Sequence, residues 1–371
     1  MLARLVRFLT YCLVYGRCWG FALVGVVSTA FRCGATMATK RTRVRALPCG
    51  VDGTIPSPVV EIQQAWVLGR EGCVTDASGR LMAAVAPRAG FLSGWAHPIM
   101  QRLHGWRQEE PADEAVLLSG GHADNYYHWM FEVLPRIMFL ERAGHSLGSS
   151  LVLVPVGQPF QRQSLAVLGV SAERSRALSA DGAFQVRKLW CTLPVLPPHV
   201  GRAEVCRWLR ERLGRTVKTG SRRLLLQRRQ GKRSIVNFDA LANSLVPLGF
   251  EVMVAEKLTF DEQIEWFSSA EWVVAPHGAG LANLVFCRPG TRVVEILSKD
   301  YLSHLYADIS ADCSLDYRAV TATPVGSPWE FREGSKQLCV DTDEIVSLIK
   351  IWRENKNVNI AVAGAAVEQP K

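Results

Sequence analysis

Between residues 115 and 297 short apolar runs alternate with longer segments of helical periodicity, and this alternation is the strongest constraint on the fold. Strands are expected at 115–118, 151–154, 186–190, 224–227, 251–255, 272–275 and 292–297. Helices are expected at 125–142, 160–168, 201–213, 238–247, from Thr259 onward, at 280–286 and at 343–354. Strands with no polar face must be covered on both sides. The pattern therefore implies α/β architecture, with parallel sheets flanked by helices. Two such series meet at the polar stretch Arg215-Thr216-Val217-Lys218-Thr219-Gly220, the expected linker. A chain of 371 residues is long enough for two domains. Residues 59–84 read as short strands broken by turns, and residues 356–371 as a frayed tail. Thr259-Phe260-Asp261-Glu262 fits a capping box, and Asp341-Thr342-Asp343 reads as the N-cap of the last helix.

The formal net charge of +9 suggests a nucleic-acid binder until it is divided along the chain. Residues 1–50 hold eight basic and no acidic residues, which leaves 35 basic against 34 acidic residues in the rest. The body is close to neutral, and no nucleic-acid motif accompanies it, so no nucleic-acid partner is expected. The ten cysteines include no C-x-x-C pair and several sit in apolar surroundings. Buried reduced thiols in a cytoplasmic protein follow, rather than a disulfide scaffold or zinc ribbon. Residues 8–31 are mostly apolar but interrupted by Arg17; the clean run from Cys18 to Phe31 is 14 residues, against about 20 for a spanning helix. Three readings stand for residues 1–36: attachment to the inner membrane, as a surface helix or anchor; a cleaved signal; or a true start at Met37.

Three constellations carry possible chemistry. The first follows a strand and includes Asp124, Asn125, His128 and Glu132. Asn125, His128, Glu132 and Arg136 share one helix stripe, opposite the apolar stripe 126, 130, 133, 134 and 137. A carboxylate one turn from a histidine holds its tautomer and raises its basicity; a solvated polar face is the plain alternative. Pro135 should kink this helix or end it near residue 134. The second, Arg228, Arg229, Lys232 and Arg233, stands after a buried strand, where α/β folds place ligands and where guanidinium forks meet phosphate. Solvated surface charge is its alternative. The third is Pro276-His277-Gly278-Ala279-Gly280-Leu281-Ala282-Asn283, a strand–glycine loop–helix turn that is neither a Walker A loop nor G-x-G-x-x-G. Glu295, on the next strand, is placed to accept sugar hydroxyls or to pair with an arginine. No H-E-x-x-H or comparable ligand spacing occurs, so no metal is expected.

The order and spacing of these residues resemble family-61 glycosyltransferases, including bacterial members of capsular polysaccharide synthesis. The resemblance rests on Asn125-Tyr126-Tyr127-His128-Trp129 with Glu132 and Leu134-Pro135-Arg136. It continues through Arg228/Arg229, Arg233-Ser234-Ile235-Val236-Asn237, Gly249-Phe250, Glu256 and Glu262-Gln263, and ends on 276–283 with Glu295. It covers roughly residues 60–320. Where the family often has Glu after the motif asparagine, this chain has Phe238.

The resemblance implies a GT-B-like fold, two Rossmann-like domains with parallel sheets facing a central cleft. It implies an inverting mechanism and no catalytic metal or cofactor. Its domains would be a 1–50 leader, an acceptor-side domain at 51–215, a nucleotide-sugar domain at 216–330 and a helix and tail at 331–371. The implied partners are a nucleotide-sugar donor, UDP-linked, and a glycan acceptor in capsular, exo- or lipopolysaccharide synthesis. The donor would meet Asn125, Arg228, Arg229, Arg233, Asn237, His277, Gly278, Ala279, Gly280, Leu281, Asn283 and Glu295. His128, oriented by Glu132, is the first choice of base; Glu132 or Asp124 acting directly is the alternative, and His128 also stands where it could touch phosphate. The rival readings are a non-catalytic assembly protein that keeps the fold, a metal-dependent hydrolase built on His122 and His128, and a basic membrane scaffold.

Overall fold

The computed structural model describes residues 44–46, 59–79, 82, 85, 105–120, 122–145, 147, 150–193, 201–214, 221–228, 232–326 and 336–354. The apolar N-terminal segment, the linker at 215–220, Arg229 and the tail lie outside the described residues.

Two sheets form, both mostly parallel. The first comprises β1 (Val44–Ala46), β2 (Val59–Leu68), β3 (Cys73–Thr75), β4 (Arg107–Gln108), β5 (Ala112–Leu117), β6 (Leu151–Val154), β7 (Ser175–Ala177) and β8 (Gly182–Thr192). Its order is β1-β2-β8-β5-β6-β7, with β3 on β2 and β4 on β8. The strands from β4 to β7 run parallel to their neighbours, but β1, β2 and β3 are antiparallel additions. A tight turn through Gly69 and Gly72, both at positive φ, joins β2 to β3, and such a turn can only reverse the chain. Residues 59–68, expected as part of a series of short strands, are instead one ten-residue strand.

The second sheet holds β9 (Arg222–Leu226), β10 (Phe250–Met253), β11 (Ala270–Pro276), β12 (Arg292–Ser298), β13 (Asp316–Val325) and β14 (Gln337–Cys339), in the order β10-β9-β11-β12-β13-β14. All its pairings are parallel except β13 with β14.

The helices are α1 (Tyr126–His128), α2 (Pro135–Arg142), α3 (Pro159–Val167), α4 (Arg202–Leu213), α5 (Phe238–Leu245), α6 (Phe260–Ser268), α7 (Leu305–Asp312) and α8 (Thr342–Glu354). A 3-10 helix spans Ala279–Phe286. Thr259 caps α6 with the expected reciprocal bonds: its hydroxyl accepts from Glu262 N–H at 3.2 Å, and the Glu262 carboxylate accepts from Thr259 N–H at 2.7 Å. Asp341 accepts from the N–H groups of Asp343 and Glu344, each at 3.0 Å, ahead of α8.

The stretch 126–142 stays helical across Pro135 by changing its winding. Proline has no N–H to donate, and its ring crowds the carbonyl four residues back. The chain widens, so Trp129–Val133 is π-helical, Leu134 N–H bonds to Trp129 O at 2.9 Å, and Pro135 opens α2. Arg136 turns inward: Nε donates to Glu132 O at 3.0 Å and Nη1 to Thr192 Oγ1 at 2.7 Å. It is therefore a buried structural cation and not part of an open polar stripe.

The two halves share one apolar core. It runs from Val116, Val152 and Val154 of the first sheet, through Trp129, Leu134, Ile137 and Leu209, to Leu281, Leu284, Val273 and Val293 of the second. Helices α1 to α4 thus pack against α6, α7 and the 3-10 helix, so the lobes are not separated throughout by a cleft. Helices α5 and α8 cover the far face of the second sheet. Of the described cysteines, Cys73, Cys191, Cys206, Cys287 and Cys313 are buried and Cys339 is exposed, all as free thiols. Among the described residues no helix is long and apolar enough to cross a membrane.

Polar side chains stitch the halves. Tyr126 Oη donates to Asn283 Oδ1 at 2.6 Å, and Asn283 Nδ2 donates to Gln263 Oε1 at 3.0 Å and to Gly280 O at 3.2 Å. Arg202 on α4 pairs with Asp308 and Asp312 on α7. Tyr126→Phe removes one partner from a buried amide. It should destabilise the fold by roughly 1–3 kcal/mol, read as a lower urea midpoint at unchanged slope.

Candidate functional site

Strands β9 and β11 are parallel neighbours, so the loops that follow them emerge side by side. Arg228 lies just beyond β9, and residues 277–280 directly follow β11. The chain returns to the same place at Arg233, which has a φ of 61° and donates its N–H to Lys336 O at 2.9 Å. Arg233 Nε donates to His277 O at 3.0 Å, and Arg228 Nη1 to the same oxygen at 3.5 Å. Two guanidinium groups thus converge on one peptide carbonyl. Desolvation first, then repulsion from Arg233, holds the Arg228 pKa below the ordinary arginine value, while Glu256 acts in the opposite direction.

Gly278 is extended, with a φ of 173°, so its backbone conformation does not demand glycine. A Cβ there would stand 2.6 Å from Arg228 Nη1, so a side chain at 278 would displace the end of that arginine. The first bond of the 3-10 helix is Leu281 N–H to Gly278 O at 3.0 Å, so the N–H groups of Ala279 and Gly280 precede its hydrogen-bond ladder. Arg228, Glu256 and residues 278–281 line a solvent-open pocket of about 460 Å³.

Behind this pocket lies a buried polar group. His277 Nδ1 is 2.5 Å from Glu295 Oε1, and Tyr317 Oη donates to Glu295 Oε2 at 2.6 Å. Glu295 is wholly inaccessible to solvent. The rings of Tyr301 and Tyr306 lie 5.4 and 5.2 Å from the His277 ring, and the Arg233 guanidinium sits 5.5 Å over Tyr301. Burial pushes the Tyr317 hydroxyl well above its usual range, and nearby Glu295 adds to the shift.

On the first half, Asn125 is the N-cap of α1, its Oδ1 accepting from Tyr127 N–H at 2.9 Å. His128 Nδ1 lies 2.9 Å from Glu132 Oε1, close enough for an ion pair but not aligned for a linear hydrogen bond. Both side chains are partly exposed. The His122 ring is 5.5 Å from that of His128. Asp124 pairs with Arg70 at 2.8 Å, and with Glu71, Gly120, His122 and Asn125 they line an open pocket of about 820 Å³. Aromatic contacts connect the halves: His128 to Tyr127 at 5.5 Å, Tyr127 to Tyr306 at 6.2 Å, and Tyr306 to His277. Desolvation, then the charge of Glu132, pushes the Tyr127 hydroxyl up to about 12.

The structure therefore gathers Arg228, Arg233, His277, Gly278, Ala279, Gly280 and Leu281 in one place, with Glu295 buried behind them. It sets His128 and Glu132 on the facing half, with Asp124 in the neighbouring pocket. Three asparagines have other partners. Asn125 spends its carbonyl oxygen on the helix cap. Asn237 gives both amide groups to the backbone of Val340, at 2.9 and 3.0 Å. Asn283 is fully buried between Tyr126 and Gln263. Arg229 lies outside the described residues. Sequence reasoning missed Tyr301, Tyr306, Tyr317 and Arg70. Among the described residues no three His, Cys, Asp or Glu side chains gather closely enough to hold a metal ion.

Arg228, Arg233, residues 277–281, His128 and Glu132 all lie within a span that matches a known family pattern. Residues 126–294 match the family model described as Glycosyltransferase 61. The chain is also 26% identical over 244 residues to beta-1,2-xylosyltransferase XAX1 of Oryza sativa subsp. japonica, covering 56% of this chain and 42% of that protein. It is 40% identical over 63 residues to beta-1,2-xylosyltransferase RCN11 of the same organism, covering 17% of this chain and 12% of that protein. The chain thus spans less than half the length of either relative.

The Gly278 contact yields a direct test. Gly278→Ala forces the Arg228 guanidinium off His277 O. If the pocket takes a diphosphate, inorganic pyrophosphate should bind about tenfold more weakly by calorimetry, as expected for one lost charge-assisted hydrogen bond, with little change in melting temperature.

Proposed function

We propose that this protein is a glycosyltransferase, moving a sugar from a nucleotide-sugar donor to a hydroxyl group of a glycan acceptor. One observation carries the reading: Arg228 and Arg233, like charges that repel, converge on His277 O beside the opening N–H groups of the 3-10 helix. That arrangement suits an anion with several oxygens, and a nucleoside diphosphate fits it. The match to Glycosyltransferase 61 over residues 126–294 supports the same chemistry.

In this reading the donor lies against the second half, in a GT-B-like manner, with its diphosphate on Arg228, Arg233 and residues 278–281. Breaking the sugar–phosphate bond leaves charge on the departing diphosphate. Guanidinium and backbone N–H groups already in place stabilise that charge without reorganising. They supply the fixed positive charge that a divalent ion would otherwise supply, so the reaction is proposed to be metal-independent. The acceptor enters on the first half, along the pocket of Arg70, His122 and Asp124. His128, beside Glu132, takes the proton of the attacking hydroxyl. One displacement on an α-linked donor gives a β-linked product with inversion.

The names of the similar rice proteins support a pentose, xylose, as the sugar, and UDP as its carrier is proposed with it. They do not name an acceptor. A capsular, exo- or lipopolysaccharide chain is proposed from the resemblance in sequence.

A melting-temperature screen of the full chain against UDP-, GDP- and CMP-sugars tests the donor, because a ligand that binds only the native state raises its stability. UDP-xylose is expected to give the largest shift and slow hydrolysis without acceptor. Nucleotide binding with no turnover across several acceptors would instead indicate an assembly protein that keeps the fold. Arg233→Ala should weaken UDP binding and slow turnover by about 10²–10³; unaltered UDP affinity would contradict its role. His128→Ala should lower turnover by roughly 10²–10⁴ while donor affinity changes little; an unchanged rate would remove it as the base.

A further inference from the structure

The proposed donor site leaves one costly group without a task. Glu295 is fully buried, and an isolated ionised carboxylate in such a place is strongly disfavoured. Here both oxygens are engaged, by His277 and by Tyr317.

The sheet register explains how the three meet. Glu295 on β12 is opposite Ala275 on β11 and Ala319 on β13. Side chains two residues apart on a strand share a face. His277 stands two beyond Ala275, and Tyr317 two before Ala319. The three polar side chains therefore run diagonally across one face, and the small alanines directly beside Glu295 leave room for them. Val293, on the same face as Glu295, belongs to the core shared by the halves, whereas Val294 and Ile296 face the opposite core.

The other end of His277 is its peptide carbonyl, which accepts from both Arg233 and Arg228. The side chain of His277 is thus anchored to Glu295 while its backbone holds the guanidinium pair. We infer that Glu295 and Tyr317 are positioning residues: through His277 they set Arg228 and Arg233 in place before the diphosphate arrives. Two arginines that repel each other gain a common acceptor in this carbonyl, and its anchoring through the His277 side chain fixes where they converge. Neither Glu295 nor Tyr317 touches the ligand in this arrangement. The inference rests on the proposed diphosphate site and adds what builds it.

The test is a double-mutant cycle read by UDP affinity, with melting temperature followed in parallel. Glu295→Gln and Tyr317→Phe each conserve shape while removing a charge or a hydroxyl. Expected losses of UDP affinity are about tenfold for Glu295→Gln and about threefold for Tyr317→Phe, both largely abolished in an Arg233→Ala background, because coupled residues are not additive. A general weakening of the fold would give the same loss in either background, and that result would overturn the inference, as would unchanged UDP affinity in folded single variants. If Glu295→Gln fails to fold, Tyr317→Phe decides the matter by the same two criteria. Absence of UDP binding in the unmodified protein is a separate outcome: it sinks the diphosphate site itself, and the positioning role with it.

Discussion

The hydroxyl of Tyr126, buried between the two sheets, donates to Asn283, whose amide donates in turn to Gln263. Gln263 then reaches the carbonyls of Ala255 and Leu258. This chain crosses from the first turn of α1, which carries His128, to the 3-10 helix that begins beside Gly278. Buried polar groups of this kind are costly when unpaired and directional when paired. They fix not only that the halves touch but at which residues. The apolar contacts around them, with Phe160 and Phe260 against the Tyr126 ring, supply attraction with little directional preference. The Tyr126–Asn283 link is the polar contact that ties the helix turn of His128 directly to the 3-10 helix, while Arg202 with Asp308 and Asp312 holds the halves at a second place.

Much of the architecture was legible in the sequence, because short apolar runs and helical periodicity report burial directly. The capping box at Thr259 and the cap at Asp341 were legible for the same reason: their partners lie within three residues. What failed was long-range or half-buried. Strand β13 mixes exposed and buried positions along its length, so it offers no apolar run to find. The partners of the asparagines at 125, 237 and 283, which the resemblance gave as donor contacts, were not legible because an amide's partners cannot be read from its position in the chain. In the structure they serve a helix cap, the backbone of Val340 and Tyr126. Tyr317 was invisible for a related reason: its link to Glu295 depends on the register of β13, a strand the sequence did not disclose.

Charge is arranged in two ways around the site. At Glu295 each oxygen of the carboxylate has a close partner, which suits a group that stays put. At Arg228 and Arg233 the acceptor the two share is a neutral carbonyl, that of His277, rather than a carboxylate held between them. The overall charge of the chain hides this contrast, since the body is near neutral and its excess lies in the first fifty residues. Local arrangement, rather than net charge, distinguishes the proposed anion site.

The π-helical turn at Trp129–Val133 sets an angular phase. An α-helix advances by roughly 100° per residue, so one additional residue within a turn rotates everything before it relative to everything after it by about that amount. Pro135 is the cause of the extra residue. A lineage that exchanged this proline for an ordinary helix former would be free to rewind the segment, and the imidazole of His128 would then swing around the axis toward the apolar layer. A buried proline seven residues further along the chain thus helps to govern which way an imidazole points.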